Sequence, residues 1–138
     1  MRILMVDDEL HGAAPWKIAI DRAHLGEVEV CSRADDAMRY IAHCDDPDLV
    51  LIYDLMMPTP AGRRGVDTEY GTRTGRLVHE AFRQRFPNQP AFLLSGATDR
   101  EAFLELGKGP NDYVCPKERV MPAELVERVR RAITAPGK

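Results

Sequence analysis

The feature that most constrains the fold is a repeated alternation of short apolar runs with longer amphipathic stretches along the whole chain. Several of the runs are continuously apolar, which is typical of strands covered on both faces. The intervening stretches carry apolar residues at helical spacing. Five such units predict an α/β domain in which helices cover a parallel sheet of five strands.

The boundaries of these elements follow from the runs and from flanking proline and glycine residues. The predicted strands are Arg2 to Val6, Val28 to Cys31, Leu49 to Tyr53, Ala91 to Leu94 and Tyr113 to Cys115. The predicted helices are Trp16 to Ala23, Ala34 to His43, Thr74 to Phe86, Arg100 to Leu106 and a last helix that begins at Pro122.

The length of 138 residues fits one domain, and we expect residues 1–138 to form it, with no output domain after the last helix. A net charge of -3 argues against a protein that grips nucleic acid directly. The apolar opening ends at the acidic residues from Asp7 to Glu9, so it is too short for a membrane span or a signal peptide. Cys31, Cys44 and Cys115 are odd in number and widely separated, which favours reduced thiols in the cytoplasm.

Polar residues follow four of the predicted strands at their carboxyl ends, where open parallel sheets bind ligands. Asp7 and Asp8 follow the first strand, Asp54 the third, Ser95 the fourth, and Lys117 comes shortly after the fifth. Each of these residues alone has an ordinary structural explanation, as a helix cap, a turn or a solvated side chain. Their coincidence at the same kind of position predicts a shared site.

Three carboxylates brought together repel one another, and Mg²⁺ is a cation that such oxygen ligands suit. Asp54 could then attack a phosphorus centre and form an acyl phosphate, while Lys117 neutralises charge on the transferring oxygens and Ser95 donates a hydrogen bond. The residues therefore predict a phosphoryl-accepting site with Asp7, Asp8 and Asp54 around the metal.

Three segments closely resemble the response regulator receiver domain, a CheY-like domain of two-component signalling. They are Met5-Val6-Asp7-Asp8-Glu9, Leu51-Ile52-Tyr53-Asp54-Leu55-Met56-Met57-Pro58 and Leu94-Ser95-Gly96-Ala97. The resemblance spans nearly the whole chain and implies a flavodoxin-like, doubly wound sheet in the order 2-1-3-4-5. It implies a signalling domain that is not an enzyme in the ordinary sense.

The resemblance also implies partners and roles. A sensor histidine kinase or a phosphotransfer protein would donate its phosphoryl group to Asp54, and a downstream protein would read the result. The backbone carbonyl of Met56 would join the magnesium ligands. Phosphorylation would draw Ser95 inward and reorient an aromatic on the fifth strand, for which Tyr113 is the candidate. It would thereby switch a protein-interaction face formed by the fourth helix, the fifth strand and the fifth helix.

The sequence departs from the family pattern on the fifth strand. Lysine precedes proline in the family, whereas the order here is Pro116-Lys117. We nevertheless assign the phosphoryl-binding lysine to Lys117, which a bulge or a shifted strand end could present. Val114 competes with Tyr113 for the switch position, and Tyr113 is equally well explained as a half-buried strand residue.

Two further departures concern hydrolysis and the segment after the third strand. Met56 and Ala97 offer no polar side chain to orient a water, so we expect the phosphorylated form to be long-lived. Residues 55–73 form an extended, locally basic loop that is longer than the family's usual connection. It is interpreted either as a lid or docking element or as a disordered insertion.

Two alternative functions remain for comparison. A degenerate receiver would bind proteins without being phosphorylated, and the Pro116-Lys117 order is its best support. A hydrolase with an aspartyl-phosphate intermediate commonly needs a second acid two residues after the nucleophile, where this chain has Met56.

Overall fold

A computed structural model of the chain describes residues 1–7, 10–54, 74–96 and 100–134, with the backbone alone described at 10–13 and 100–102. The strands are β1 (Arg2–Val6), β2 (Glu27–Cys31), β3 (Val50–Tyr53), β4 (Ala91–Ser95) and β5 (Asp112–Pro116). The helices are α1 (Leu10–Arg22), α2 (Ala34–His43), α3 (Thr74–Arg85), α4 (Arg100–Leu106) and α5 (Pro122–Thr134).

The five strands form one parallel sheet in the order β2-β1-β3-β4-β5, with helices on both faces. The predicted flavodoxin-like fold is therefore confirmed. The extended segment 55–73 lies outside the described residues.

Each face of the sheet has its own hydrophobic core. Residues from α1 and α5 pack with Ile3, Met5, Ile52 and Phe92 on one face. Residues from α2, α3 and α4 pack with the alternate strand residues, including Leu4, Leu51 and Leu93, on the other. All four residues of β3 and all five of β4 are buried, which explains why these segments read as continuously apolar in the sequence.

Several element boundaries differ from the sequence prediction by one residue, and the largest difference is at the start of α1. Helix α1 begins at Leu10, ahead of Pro15, which lies inside it. A proline costs one backbone hydrogen bond within a helix, and the burial of Trp16 and Ile20 against the sheet favours the helical path on both sides. Strand β5 begins at Asp112 and continues to Pro116, because backbone pairing with β4 extends from Ala91 to Ser95.

Among the described residues, no helix has both the length and the apolar character that crossing a bilayer requires.

A polar cluster ties α3 to the start of β5, at the end of the sheet where the parallel strands begin. His79 Nε2 donates to Asp112 Oδ1 at 2.8 Å, and the Arg83 guanidinium donates to the same oxygen. Arg83 also donates to the backbone carbonyls of Phe86 and Gln89, which fixes the connection into β4. Burial alone would raise the pKa of Asp112, but the hydrogen bonds from His79 and Arg83 outweigh it and lower that pKa.

We expect Asp112→Asn to lower the free energy of unfolding at pH 7 by about 1.5–3 kcal/mol, the range for hydrogen bonds to charged groups. Because the folded pKa is lowered, the carboxylate contributes this stability above the ordinary pKa of 3.8. The contribution is lost as the pH falls through the lower folded value. Urea unfolding at pH 7 and at a series of acidic pH values measures both effects. The exposed Asp48→Asn is the matched control, and an equal loss in both variants would contradict the assignment.

Candidate functional site

Two carboxylates lie buried where adjacent strands end. Asp7 directly follows β1 and is 3% exposed, and Asp54 directly follows β3 and is 8% exposed. The backbone N–H of Asp7 donates to the Cys31 carbonyl at 3.1 Å, and that of Asp54 donates to the Val6 carbonyl at 2.9 Å. These bonds continue the strand pairing by one residue, so the sheet itself sets the position of both acids.

Ser95 is the last residue of β4 and is 1% exposed. Its hydroxyl donates to Asp54 Oδ1 at 2.7 Å. This buried hydrogen bond to a carboxylate is of the stronger, charge-assisted kind, and it orients the Asp54 side chain.

Lys117 follows the last residue of β5, and its side chain reaches both acids. The ammonium nitrogen lies 2.8 Å from Asp7 Oδ2 and 3.7 Å from Asp54 Oδ2. Pro116 occupies the strand position opposite Ser95, and the Lys117 N–H donates to the Ser95 carbonyl at 2.9 Å. The strand therefore extends through the proline, and the lysine that follows it lies at the strand ends in spite of the inverted order.

Among the described residues, the Lys117 ammonium supplies positive charge beside both acids. Two carboxylates withdrawn from water are unfavourable together unless a cation lies between them, and Lys117 provides it. The Lys117 side chain itself is 21% exposed. Within the described part of the chain, which lacks Asp8, no group of three or more His, Cys, Asp or Glu residues is arranged to hold a metal ion.

Asp8 and Met56, which are predicted metal ligands, lie outside the described residues. Their roles stay predictions.

Tyr113 lies away from this group. Its ring stacks on Phe92, with centroids 4.8 Å apart and an interplanar angle of 14°, among the residues that pack against α1 and α5. Val114 faces the opposite side, where its Cγ2 lies 2.7 Å from the position that a Cβ on Gly107 would take at the end of α4. The α4-facing position on β5 is thus aliphatic, and the assignment of the switch position to Tyr113, with Val114 as the competing candidate, stays a prediction.

The His79–Asp112–Arg83 cluster was not predicted from the sequence. His79 also stacks on Tyr53, the residue before Asp54, with ring centroids 5.5 Å apart. The available signal was weak, because His79 and Arg83 merely share one face of a predicted helix.

Solved structures of response regulator receiver domains share this fold. The BeF3-activated receiver domain of DrrB from Thermotoga maritima aligns with a TM-score of 0.72 at 20% identity, covering 96% of each chain. A CheY-like receiver domain protein from Methanospirillum hungatei aligns with a TM-score of 0.73 at 20% identity, covering 96% of this chain and 92% of that one. A receiver protein from Sinorhizobium medicae gives 0.74 at 20% identity, covering 98% and 95%.

At this level of identity the comparisons establish the fold alone. No protein-family model matches the sequence, and no curated protein matches it.

We expect Lys117→Met to lower the free energy of unfolding by about 3 kcal/mol, near the low end for removing one partner of a buried ion pair. The physical reason is that Asp7 and Asp54 would then remain buried without the cation between them. Urea unfolding measures the loss. Lys108→Met, which removes an exposed lysine, should change stability little, and comparable losses in the two variants would contradict a bridging role for Lys117.

Proposed function

We propose that the chain is a receiver domain of two-component signalling that accepts a phosphoryl group on Asp54. The donor is the phosphohistidine of a sensor histidine kinase or a phosphotransfer protein. The domain acts as a signalling element rather than as an enzyme with a separate substrate. The observation that carries the proposal is that one ammonium, on Lys117, contacts the buried carboxylates of both Asp7 and Asp54.

The chemistry assigns a role to each residue at the strand ends. An oxygen of the Asp54 carboxylate attacks phosphorus, and the P–N bond of the donor phosphohistidine breaks. The electron pair of that bond stays on the imidazole nitrogen, and Asp54 becomes an acyl phosphate. Lys117 neutralises negative charge on the phosphoryl oxygens, and the Ser95 hydroxyl donates a hydrogen bond to the group.

The donor set is suited to Mg²⁺. Asp7 and Asp54 are oxygen ligands whose charges already require a cation, and a metal held by one or two carboxylates plus a phosphate is the common magnesium arrangement. We propose that Asp7, Asp8, Asp54 and the backbone carbonyl of Met56 hold it. When bound, Mg²⁺ offsets the negative charge of the phosphoryl oxygens, which Lys117 alone cannot neutralise.

Support also comes from the structural neighbours, which include a DrrB receiver domain described as activated by BeF3. Beryllofluoride resembles a phosphoryl group in charge and shape, so activation by it fits an acceptor of this kind.

We expect incubation with Mg²⁺ and acetyl phosphate to add one phosphoryl group to the protein, detected by intact mass. The adduct should be absent in Asp54→Asn, because the amide cannot form the acyl phosphate, and absent when EDTA removes the metal. Asp45→Asn, an exposed acid outside the site, is the matched control and should be phosphorylated like the wild type.

The same experiment separates the two functions. A protein that stays unmodified while folded and magnesium-bound would support the degenerate receiver, which binds partners without phosphorylation. An adduct that persists in Asp54→Asn would show that a residue other than Asp54 is modified, and it would refute the proposal.

We expect the phosphorylated form to lose its phosphoryl group slowly, because Met56 and Ala97 supply no side chain to orient the attacking water. Met56→Asn should accelerate the loss, on the order of tenfold for one hydrogen bond made to the water in the transition state. Decay of the adduct mass after removal of acetyl phosphate gives both rates, with Met57→Asn as the control. Rapid decay of the wild type that Met56→Asn leaves unchanged would refute this explanation.

A further inference from the structure

The serine at the site is bonded to the acceptor carboxylate itself. Ser95 Oγ donates to Asp54 Oδ1 at 2.7 Å, and both residues are buried, at 1% and 8% exposure. The family resemblance implies that such a serine moves inward once the phosphoryl group is in place. In this chain the hydroxyl already lies against the carboxylate that would be phosphorylated.

The backbone joins Ser95 to Lys117, the residue that carries the ammonium of the site. The Ser95 carbonyl accepts a hydrogen bond from the Lys117 N–H at 2.9 Å, while the Lys117 ammonium lies 3.7 Å from Asp54 Oδ2. Asp54, Ser95 and Lys117 therefore form a closed ring of contacts. The two side chains thus project from backbone positions that are hydrogen-bonded to each other.

The fifth strand has packing that favours a fixed arrangement. The Tyr113 ring stacks on Phe92 and lies on the side of α1 and α5. On the α4 side the strand presents Val114, an aliphatic residue in close contact with the end of α4. Val114 has no aromatic ring that could turn between two positions beside α4.

We infer that the Ser95 hydroxyl and the Lys117 ammonium form a preassembled cradle, so that phosphoryl acceptance leaves β5 and the Tyr113–Phe92 stack in place. This inference rests on the proposed function, because it describes how the same site is regulated. A bound group shifts a conformational equilibrium only by its differential affinity for the two states. Because the Ser95 hydroxyl and the Lys117 ammonium already contact the Asp54 carboxylate, they gain little by moving closer once the phosphoryl group is bound. A partner that distinguishes the two forms must then contact the phosphoryl group or the strand ends around it.

The first test compares NMR spectra of the full chain with and without Mg²⁺ and beryllofluoride. We expect chemical-shift changes to be concentrated at Asp7, Asp54, Ser95 and Lys117. The ring signals of Tyr113 and the amides of α5 (Pro122–Thr134) should stay near their original positions. Broad changes across β5 and α5, or contacts showing that the Tyr113 ring leaves Phe92, would overturn the inference.

The second test examines the cradle with the carboxylate alone. Ser95→Ala should shift the side-chain carboxyl ¹³C signal of Asp54, because the carboxylate loses a hydrogen bond, and Lys117→Met should shift it as well. Ser32→Ala removes a hydroxyl just beyond β2 and should leave that signal unchanged. An unchanged Asp54 signal in Ser95→Ala would overturn the preassembled cradle, and the dispersion of each spectrum reports whether the variant is folded.

The two proposals fail separately. Intact mass after treatment with acetyl phosphate reports phosphorylation of the wild type, so the lack of an adduct refutes the proposed function. The Ser95→Ala spectrum needs no phosphoryl donor and decides the cradle whichever way the mass experiment turns out.

Discussion

The site depends on the contacts that one lysine ammonium makes with two buried carboxylates. Asp7 and Asp54 are withdrawn from water at the ends of neighbouring strands, and each would be costly to bury as an anion without a counter-charge. The Lys117 ammonium lies within 4 Å of both carboxylates. Two acids and one base leave a net negative charge among these three side chains, and this is the electrostatic condition that favours a further cation beside them.

The rest of the fold serves to hold these three residues. Helices on both faces bury all of β3 and β4 and nearly all of β1, so the backbone of these central strands cannot shift without disturbing two cores. The polar ends of the strands meet at one edge because all five strands run in the same direction. At the opposite edge, Arg83 and His79 anchor the start of β5 through Asp112. The strand that carries Lys117 is thus tied near both of its ends.

The periodicity predicted all five strands and all five helices, because continuous burial and one-sided burial leave different patterns in the sequence. It misplaced the start of α1, since local rules treat Pro15 as a boundary, whereas packing of Trp16 and Ile20 stabilises a helix that passes through it. It also did not single out the Asp112 cluster, which joins residues that are 29 and 33 positions apart in the sequence. No local pattern records such a pairing.

The sequence by itself determined which polar residues lie at or just beyond the carboxyl ends of the strands, and therefore which side chains were available for a site there. Only the tertiary structure decided that Lys117 reaches past Pro116 to both carboxylates, that Ser95 donates to Asp54, and that Tyr113 lies on the α1 and α5 side. The physical reason is the separation along the sequence of the residues that determine each feature. Strand character follows from neighbours a few residues apart, whereas the contact between Lys117 and Asp7 spans 110 positions and exists only once the strand order places their ends together.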